Sequence, residues 1–341
     1  MFPRIRRSLR LLALALIGTL VGFACGTEAP EEGEGDLPVI KIHALEGGVS
    51  AVAIRVIEEQ GFDEANGFQG EFFEVGGDAS LQFLLQRNSD ISFDCDTITA
   101  ALLREQGNEI STFYPLVTQD ASLVVRGDSP YESPEDLVGE RVGHDGLESG
   151  TLTAAQIIFD AFYDVQIVED YDMQLTEEPV LIRLVDRGEL EGVFVGQPRV
   201  LEAELEFGMK RIWGPAGEDW AEQSGGGSTW LVTVCAYEDY LVENPDLARA
   251  AMAAWDDALA WIQEDPSRLT EDPFPELFGI DNPEILEAFA NLVGTTEYFT
   301  NRWTEAEVQA GRDFNQFAAD KGLIIEEADP RAVVSLDELV D

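Results

Sequence analysis

Basic residues are scarce in this chain. Lys and Arg number 21 against 67 Asp and Glu, for a formal net charge of −46, and three of the bases are Lys (Lys41, Lys210, Lys321). The first 24 residues hold four Arg and no acid, so the remainder carries 17 − 67 = −50. Such a surface repels nucleic acid and anionic lipid, and it repels itself at low salt. Nucleic-acid partners are therefore excluded, and general acidic solubilisation in salty surroundings is implied. Two His and three Cys, with no CxxC and no HExxH, give no ordinary transition-metal site, and no cofactor is expected. GxSxG elbows and P-loops are missing as well.

A full-length membrane span is also lacking. The apolar run Leu11–Ala24 falls short of the ~20 residues a comfortable span needs. Arg4, Arg6, Arg7 and Arg10 precede it and Cys25 follows, the order of a secretory signal. Cys25 directly after Ala24 resembles a lipobox. Residues 1–24 thus read as a signal peptide, Cys25 as the lipidated mature N-terminus and 25–37 as an acidic tether without apolar periodicity. Arg6-Arg7 leaves twin-arginine export open beside the general route. Export makes a Cys95–Cys235 disulfide chemically possible, while each Cys could equally be a small buried apolar residue.

What is present is alternation. Val39–Ala44 is strand-like, then comes Leu45–Ser50 with paired Gly47-Gly48, then a helical pattern over Ala51–Gln60. Phe72–Val75 and Ile91–Phe93 repeat the unit, and helices follow Gly77 and Asp94–Thr97. Around residues 120–162 it begins again. Ser122–Val125 is apolar, Ser133-Pro134-Glu135-Asp136 starts a short helix, and strand Glu140–His144 runs through Asp145–Thr151 into a helix along Leu152, Ala155, Phe159 and Phe162. Further on, Pro179–Arg187 is a helix, Glu191–Val195 a strand, Pro198–Phe207 a helix and Lys210–Trp213 a short strand. Gly214–Ser228 reads as a flexible loop, Thr229–Ala236 is strongly β, and the rest is helical. The expected class is α/β, with two mainly parallel sheets flanked by helices. Lobe one takes 38–120 plus 236–341 and lobe two 125–230, with Ser122–Val125 and Thr229–Ala236 as the two crossing strands that form the hinge.

Seven stretches in order carry a family likeness: the first strand with its Gly-rich loop, GFDEANGF (61–68), RNSDISF (87–93), SPYESPEDLVGERVG (129–143), LVDRGELEGVFV (184–195), ENPDLARAAMAAW (243–255) and WTEAEV (303–308). Residues 38–325 resemble the solute-binding proteins of ABC importers for nitrate, sulfonates, taurine and thiamine-type pyrimidines. The resemblance implies a type II periplasmic-binding fold that captures a small molecule between its lobes and hands it to an importer permease. It also implies a non-enzymatic, exported, lipid-anchored monomer on the outer face of the cell membrane or in the periplasm. Two alternatives are a sensory solute receptor and an enzyme similar to thiamine-pyrimidine synthases, whose cysteine-rich metal motif this chain lacks. Asn88 stands where the family favours Gly, and the loops are unusually acidic.

In such sheets ligands bind beyond the carboxyl ends of the strands. The expected ligand-binding residues are Gly47, Gly48, Ser50, Gly77, Asp78, Asp94, Asp96, Thr97, Asp120, Asp145, Ser149, Gly150, Thr151, Phe194, Gln197 and Trp230. Ser149–Thr151 open a helix and could hold an anion or simply cap it. Phe194 and Trp230 are expected as stacking faces. Seven acids (Glu46, Asp78, Asp94, Asp96, Asp120, Asp145, Glu148) and no base in these loops favour a neutral or cationic solute such as an aminopyrimidine over a sulfonate or nitrate. His43 and His144 read as packing or rim residues.

Overall fold

The computed structural model describes residues 37–340 apart from 78, 148, 228 and 324. The export signal, Cys25, most of the tether and Asp78 lie outside the described residues. Ten strands are present among those described: β1 (Val39–Leu45), β2 (Gln69–Val75), β3 (Ile91–Cys95), β4 (Ile110–Thr118), β5 (Ser122–Val125), β6 (Arg141–His144), β7 (Asp172–Leu175), β8 (Gly192–Val195), β9 (Lys210–Trp213) and β10 (Trp230–Tyr237). They form two five-stranded sheets, ordered β2-β1-β3-β10-β4 and β7-β6-β8-β5-β9.

Both sheets follow one plan. The strands β2, β1 and β3 run parallel, and β10 lies antiparallel between β3 and β4. In the second sheet β7, β6 and β8 run parallel, and β5 lies antiparallel between β8 and β9. The reversed strand is in each case the first one after the chain passes from one sheet to the other. Those passages occur at residues 119–121 and just before Trp230. Helices cover both faces, so β5 and β8 are buried at every position, as a strand with no solvent face must be.

Three local features depart from the sequence reading. A ninth-strand-to-tenth-strand loop was expected to be flexible, but Ala216–Ser224 is a helix. Its Glu218 and Asp219 favour the positive N-terminal end. Trp220 anchors it edge-on to Phe314 and Phe317, with ring centroids 4.8 and 5.0 Å away. The strand β4 went unread because Pro115 interrupts its pattern. Pro is tolerated there since β4 is the edge of its sheet, where a missing N–H breaks no ladder. The strand β7 is also an edge and alternates polar and apolar residues, DMQL, so no apolar run marked it.

Packing ties the halves of the chain together. Cys95 on β3 and Cys235 on β10 form a disulfide that closes a loop of 140 residues containing the whole second sheet. Arg104, 7% exposed at its side chain, bridges Glu238 at 2.7 Å and Asp329 at 2.6 Å, and Arg331 meets the same Glu238 at 2.7 Å. The helix Glu305–Lys321 starts with a Thr304/Glu307 capping box. It does not stay with the first sheet: Phe314 and Phe317 pack on Trp220, while Asn315 Nδ2 donates to the carbonyl of Thr97 at 2.9 Å.

Candidate functional site

Three neighbouring strand ends of the second sheet converge. Val195, last in β8, is level with Ser122, first in β5, so Gln197 and Asp120 face each other just beyond the ladder. The backbone N–H of Gln197 donates to Asp120 Oδ2 at 2.6 Å. Asp120 Oδ1 and Gln197 Oε1 are buried and have no partner among the described residues. Gly196 leaves Oδ1 approachable, because a Cβ there would sit 3.1 Å from it. On the other side of β8, β6 ends in His144, whose Nδ1 lies 2.9 Å from Asp145 Oδ1 and 2.8 Å from the Gly146 carbonyl. The backbone N–H of Gly146 also lies against Nδ1, at 3.0 Å. His144 Nε2 is buried and unpartnered as well.

Two residues unread in the sequence complete this edge. Tyr298 arrives from the segment alongside β4, its backbone carbonyl accepting from Thr118 N–H at 3.0 Å. Its hydroxyl donates to the Gln197 carbonyl at 3.4 Å and faces Asp120. Glu178 opens the helix Glu178–Asp186 and feels the charges of Asp145, His144, Arg199 and Asp120. Burial is the chief cause that pushes both Asp120 and Glu178 up to about 7, and burial likewise raises Tyr298 well above its ordinary value. At Asp145 burial is outweighed by His144, which holds the carboxyl below its usual value.

The first sheet's edge differs. Ser80 Oγ donates to Asp94 Oδ2. Asp96 caps the helix Thr97–Glu105, accepting from Thr99 N at 2.9 Å and from Thr99 Oγ1 at 2.6 Å. Burial raises both carboxyls above the ordinary range. His43 is fully buried between Ser89 Oγ (2.7 Å) and Ser92 Oγ (3.1 Å), and burial lowers it to about 4.

The two edges come into contact. A Cβ placed on Gly150, at the start of the helix Gly150–Phe162, would lie 3.3 Å from Asp96 Oδ2. Gln119 Nε2 donates to the Gly150 carbonyl at 3.2 Å. Arg199 Nη2 reaches the Phe278 carbonyl at 2.7 Å, and Asn282 Nδ2 reaches Glu206 at 3.3 Å. A cavity of about 300 Å³ is lined by Gln309, Arg312, Asp313, Asn315 and Gln316.

No protein-family model matches the chain, and no curated protein matches it in sequence. Solved structures do. The periplasmic aliphatic sulphonate-binding protein SsuA of Escherichia coli superposes with a TM-score of 0.67 at 14% identity, over 89% of this chain and 99% of that one. The alkanesulfonate-binding protein SsuA of Xanthomonas axonopodis pv. citri, bound to MOPS, gives 0.66 at 11% identity, over 90% and 99%. The desulfurization enzyme DSZB gives 0.58 at 13% identity, over 89% and 96%. The fold is that of the periplasmic binding proteins.

Within this periplasmic-binding fold, the expected residues divide. Asp120, Gln197 and Asp145 come together at the second sheet's edge, and Ser149, Gly150 and Thr151 stand opposite Asp96. Ser149 is the N-cap, but its side chain makes no capping bond. Gly47, Gly48 and Gly77 lie in turns after β1 and β2, Gly47 and Gly77 with positive φ. Ser50 is 2% exposed and its hydroxyl accepts from Leu45 N, which makes it a turn-holder. Thr97 is buried under Asn315.

Two expectations need correction. Phe194 is no stacking face: it is 0% exposed, packed among Phe159, Tyr171 and Trp213 in the core. Trp230 is 3% exposed and stands edge-on to Trp303 at 5.0 Å. Asp96 serves as a helix cap, and Ser50 as a turn-holder. Alternation along a strand says which residues share a face, but both faces of these sheets are covered, so it cannot separate core from site.

Proposed function

We propose that this chain is an extracytoplasmic solute-binding protein that captures a small molecule between its two sheets and delivers it to an ABC importer. One observation carries the reading: unpartnered polar groups of the second sheet's edge gather where the two sheet edges meet, in a fold whose neighbours, over about nine-tenths of the chain, are periplasmic sulphonate-binding proteins. The lobes are 38–120 plus 236–341 and 125–230, with the helix Glu305–Lys321 lying across both. A solute touching both edges favours the closed form because only that form makes both sets of contacts. The acidic loops argue for a neutral or cationic solute, an aminopyrimidine among them, with a sulfonate or nitrate as the alternative. Trp230 and Phe194 take no part in this proposal.

The test is closure. A small-molecule extract of the cells that make the protein should reduce its radius of gyration in X-ray scattering and raise its melting midpoint, since a ligand held only by the folded state stabilises it. If neither change is seen, the reading fails. Pull-down from native membranes then separates the partners, because an importer permease is expected and a membrane kinase would favour the sensory role. An enzyme is the other rival, given the desulfurization enzyme on this fold. Cys95 and Cys235 are bonded to each other and offer no thiol nucleophile. Lipidation at Cys25 belongs to the same proposal: Cys25→Ser should release the protein from the membrane, since acyl burial supplies the anchoring.

A further inference from the structure

We propose that the solute presents a positively charged nitrogen donor, an amine or amidine head group, to an acceptor cage made by Asp120 and Gln197. This rests on the solute-binding reading above. The cage is built and empty-handed at two atoms. Asp120 is 6% exposed and Gln197 8%, and Oδ1 and Oε1 respectively lack a partner among the described residues. A buried polar atom left without its hydrogen bond is destabilising, and both of these accept. A ligand with several N–H donors satisfies both at once. One with only acceptor oxygens satisfies none.

The surroundings exclude an oxyanion on separate grounds. Arg199 is held by Glu202 at 2.6 Å and by the Phe278 carbonyl, and Arg211 is held by Glu204 at 3.0 Å. Neither guanidinium is free to turn toward an anion. The donor-rich feature nearby, the N-terminus of Gly150–Phe162, already faces the carboxylate of Asp96. An anion there would add like charge to Asp96, whereas a cation at Asp120 gains from Asp120, Glu178 and Asp145 together.

The same groups give a pH signature. Facing Asp120 and Glu178 are Asp145, His144, Arg199, Arg211 and Tyr298. Because burial leaves both carboxyls titrating near 7, the empty site holds protons that a cationic ligand must displace. Affinity for such a ligand therefore rises between pH 6 and pH 8.

Calorimetry with agmatine, putrescine and benzamidine, against methanesulfonate and nitrate, tests this in high salt, where the acidic surface is screened. At least one of the three cations should bind, tighten threefold or more from pH 6 to pH 8, and weaken tenfold or more in Asp120→Asn. Glu58→Gln, on an exposed helix face, should change nothing. Gln197→Leu serves as a second variant if Asp120→Asn fails to fold. Binding of methanesulfonate or nitrate that survives Asp120→Asn overturns the ligand class and leaves solute capture standing. Cation binding indifferent to both cage variants also overturns it, as surface attraction. No binding by any of the five probes overturns it too, and the closure experiment then decides separately whether solute capture survives.

Discussion

Where the two sheet edges meet, the first sheet offers Asp94 and Asp96 while the second offers Asp120, Gln197 and His144, and the two sets look interchangeable in sequence. Their surroundings are not. Ser80 and Thr99 occupy the first pair, so those carboxylates stabilise the turn and helix that carry them. In the second set one atom of each side chain is buried with no partner. Both sheets have the same strand plan, so topology does not produce the contrast; local hydroxyls do. A polar group that the protein satisfies itself is architecture, and one that it buries unsatisfied is kept for something else.

The comparison can be broken first at the covalent level. A disulfide holds the first sheet together, and the loop it closes contains the whole second sheet. By the loop-entropy relation, closing 140 residues is worth up to about 5 kcal/mol. The double variant Cys95→Ala/Cys235→Ala should lose most of that in chemical denaturation, reported by Trp255, which is buried on the helix Pro245–Glu264 in the core around the first sheet. A loss below about 1 kcal/mol would show that β10 is fixed by its pairing with β3 and β4 alone.

The next test sharpens the contrast through pH. Asp120 is raised from 3.8 to about 7, chiefly by burial. The native state thus keeps a proton that the unfolded chain releases between roughly pH 4 and pH 7, so this group's contribution to stability falls across that window and is flat above it. Three pH units correspond to about 4 kcal/mol. Asp120→Asn removes the penalty: relative to the parent it should gain stability at pH 8, with little difference at pH 4, measured by denaturant midpoints at both. An equal effect at both pH values would place the Asp120 carboxyl in contact with an unseen partner.

How much of this was legible beforehand follows the same line. Strands with apolar runs, β1, β3, β5, β8 and β10, stood out, as did the helix starts at Ser133-Pro134 and Thr304. The strands β4 and β7 did not, because edge strands escape the constraints that make central strands readable: Pro115 is harmless and DMQL need not be apolar. The helix at Ala216–Ser224 was hidden because its anchors are tertiary: Trp220 packs on Phe314 and Phe317 nearly a hundred residues away, and Asp219 accepts from Tyr163 and Trp213. At the site, Asp120 and Gln197 could be named from their place beyond strand ends. Glu178 and Tyr298 could not, since a helix start and a loop beside β4 reach the site only through tertiary packing. No pattern of residues reveals which acid has a hydroxyl waiting for it, and that decided between Asp96 and Asp120.

The smallest expected effect is therefore the most pointed. From loop position alone, Asp96→Asn should weaken solute binding as much as any acid at the two edges. The structure argues otherwise. Asp96 accepts from Thr99 N and Thr99 Oγ1, and Asn caps helices about as well as Asp. Its remaining role toward Gly150 is steric and electrostatic, and an amide of the same shape preserves the first. Asp96→Asn should then cost under about 1 kcal/mol in stability and change affinity for a bound cation by less than about threefold, while Asp120→Asn costs tenfold or more, about 1.4 kcal/mol. Calorimetry on the two variants side by side checks this. Equal losses would mean that Asp96 itself contacts the solute and leaves its cap to do so.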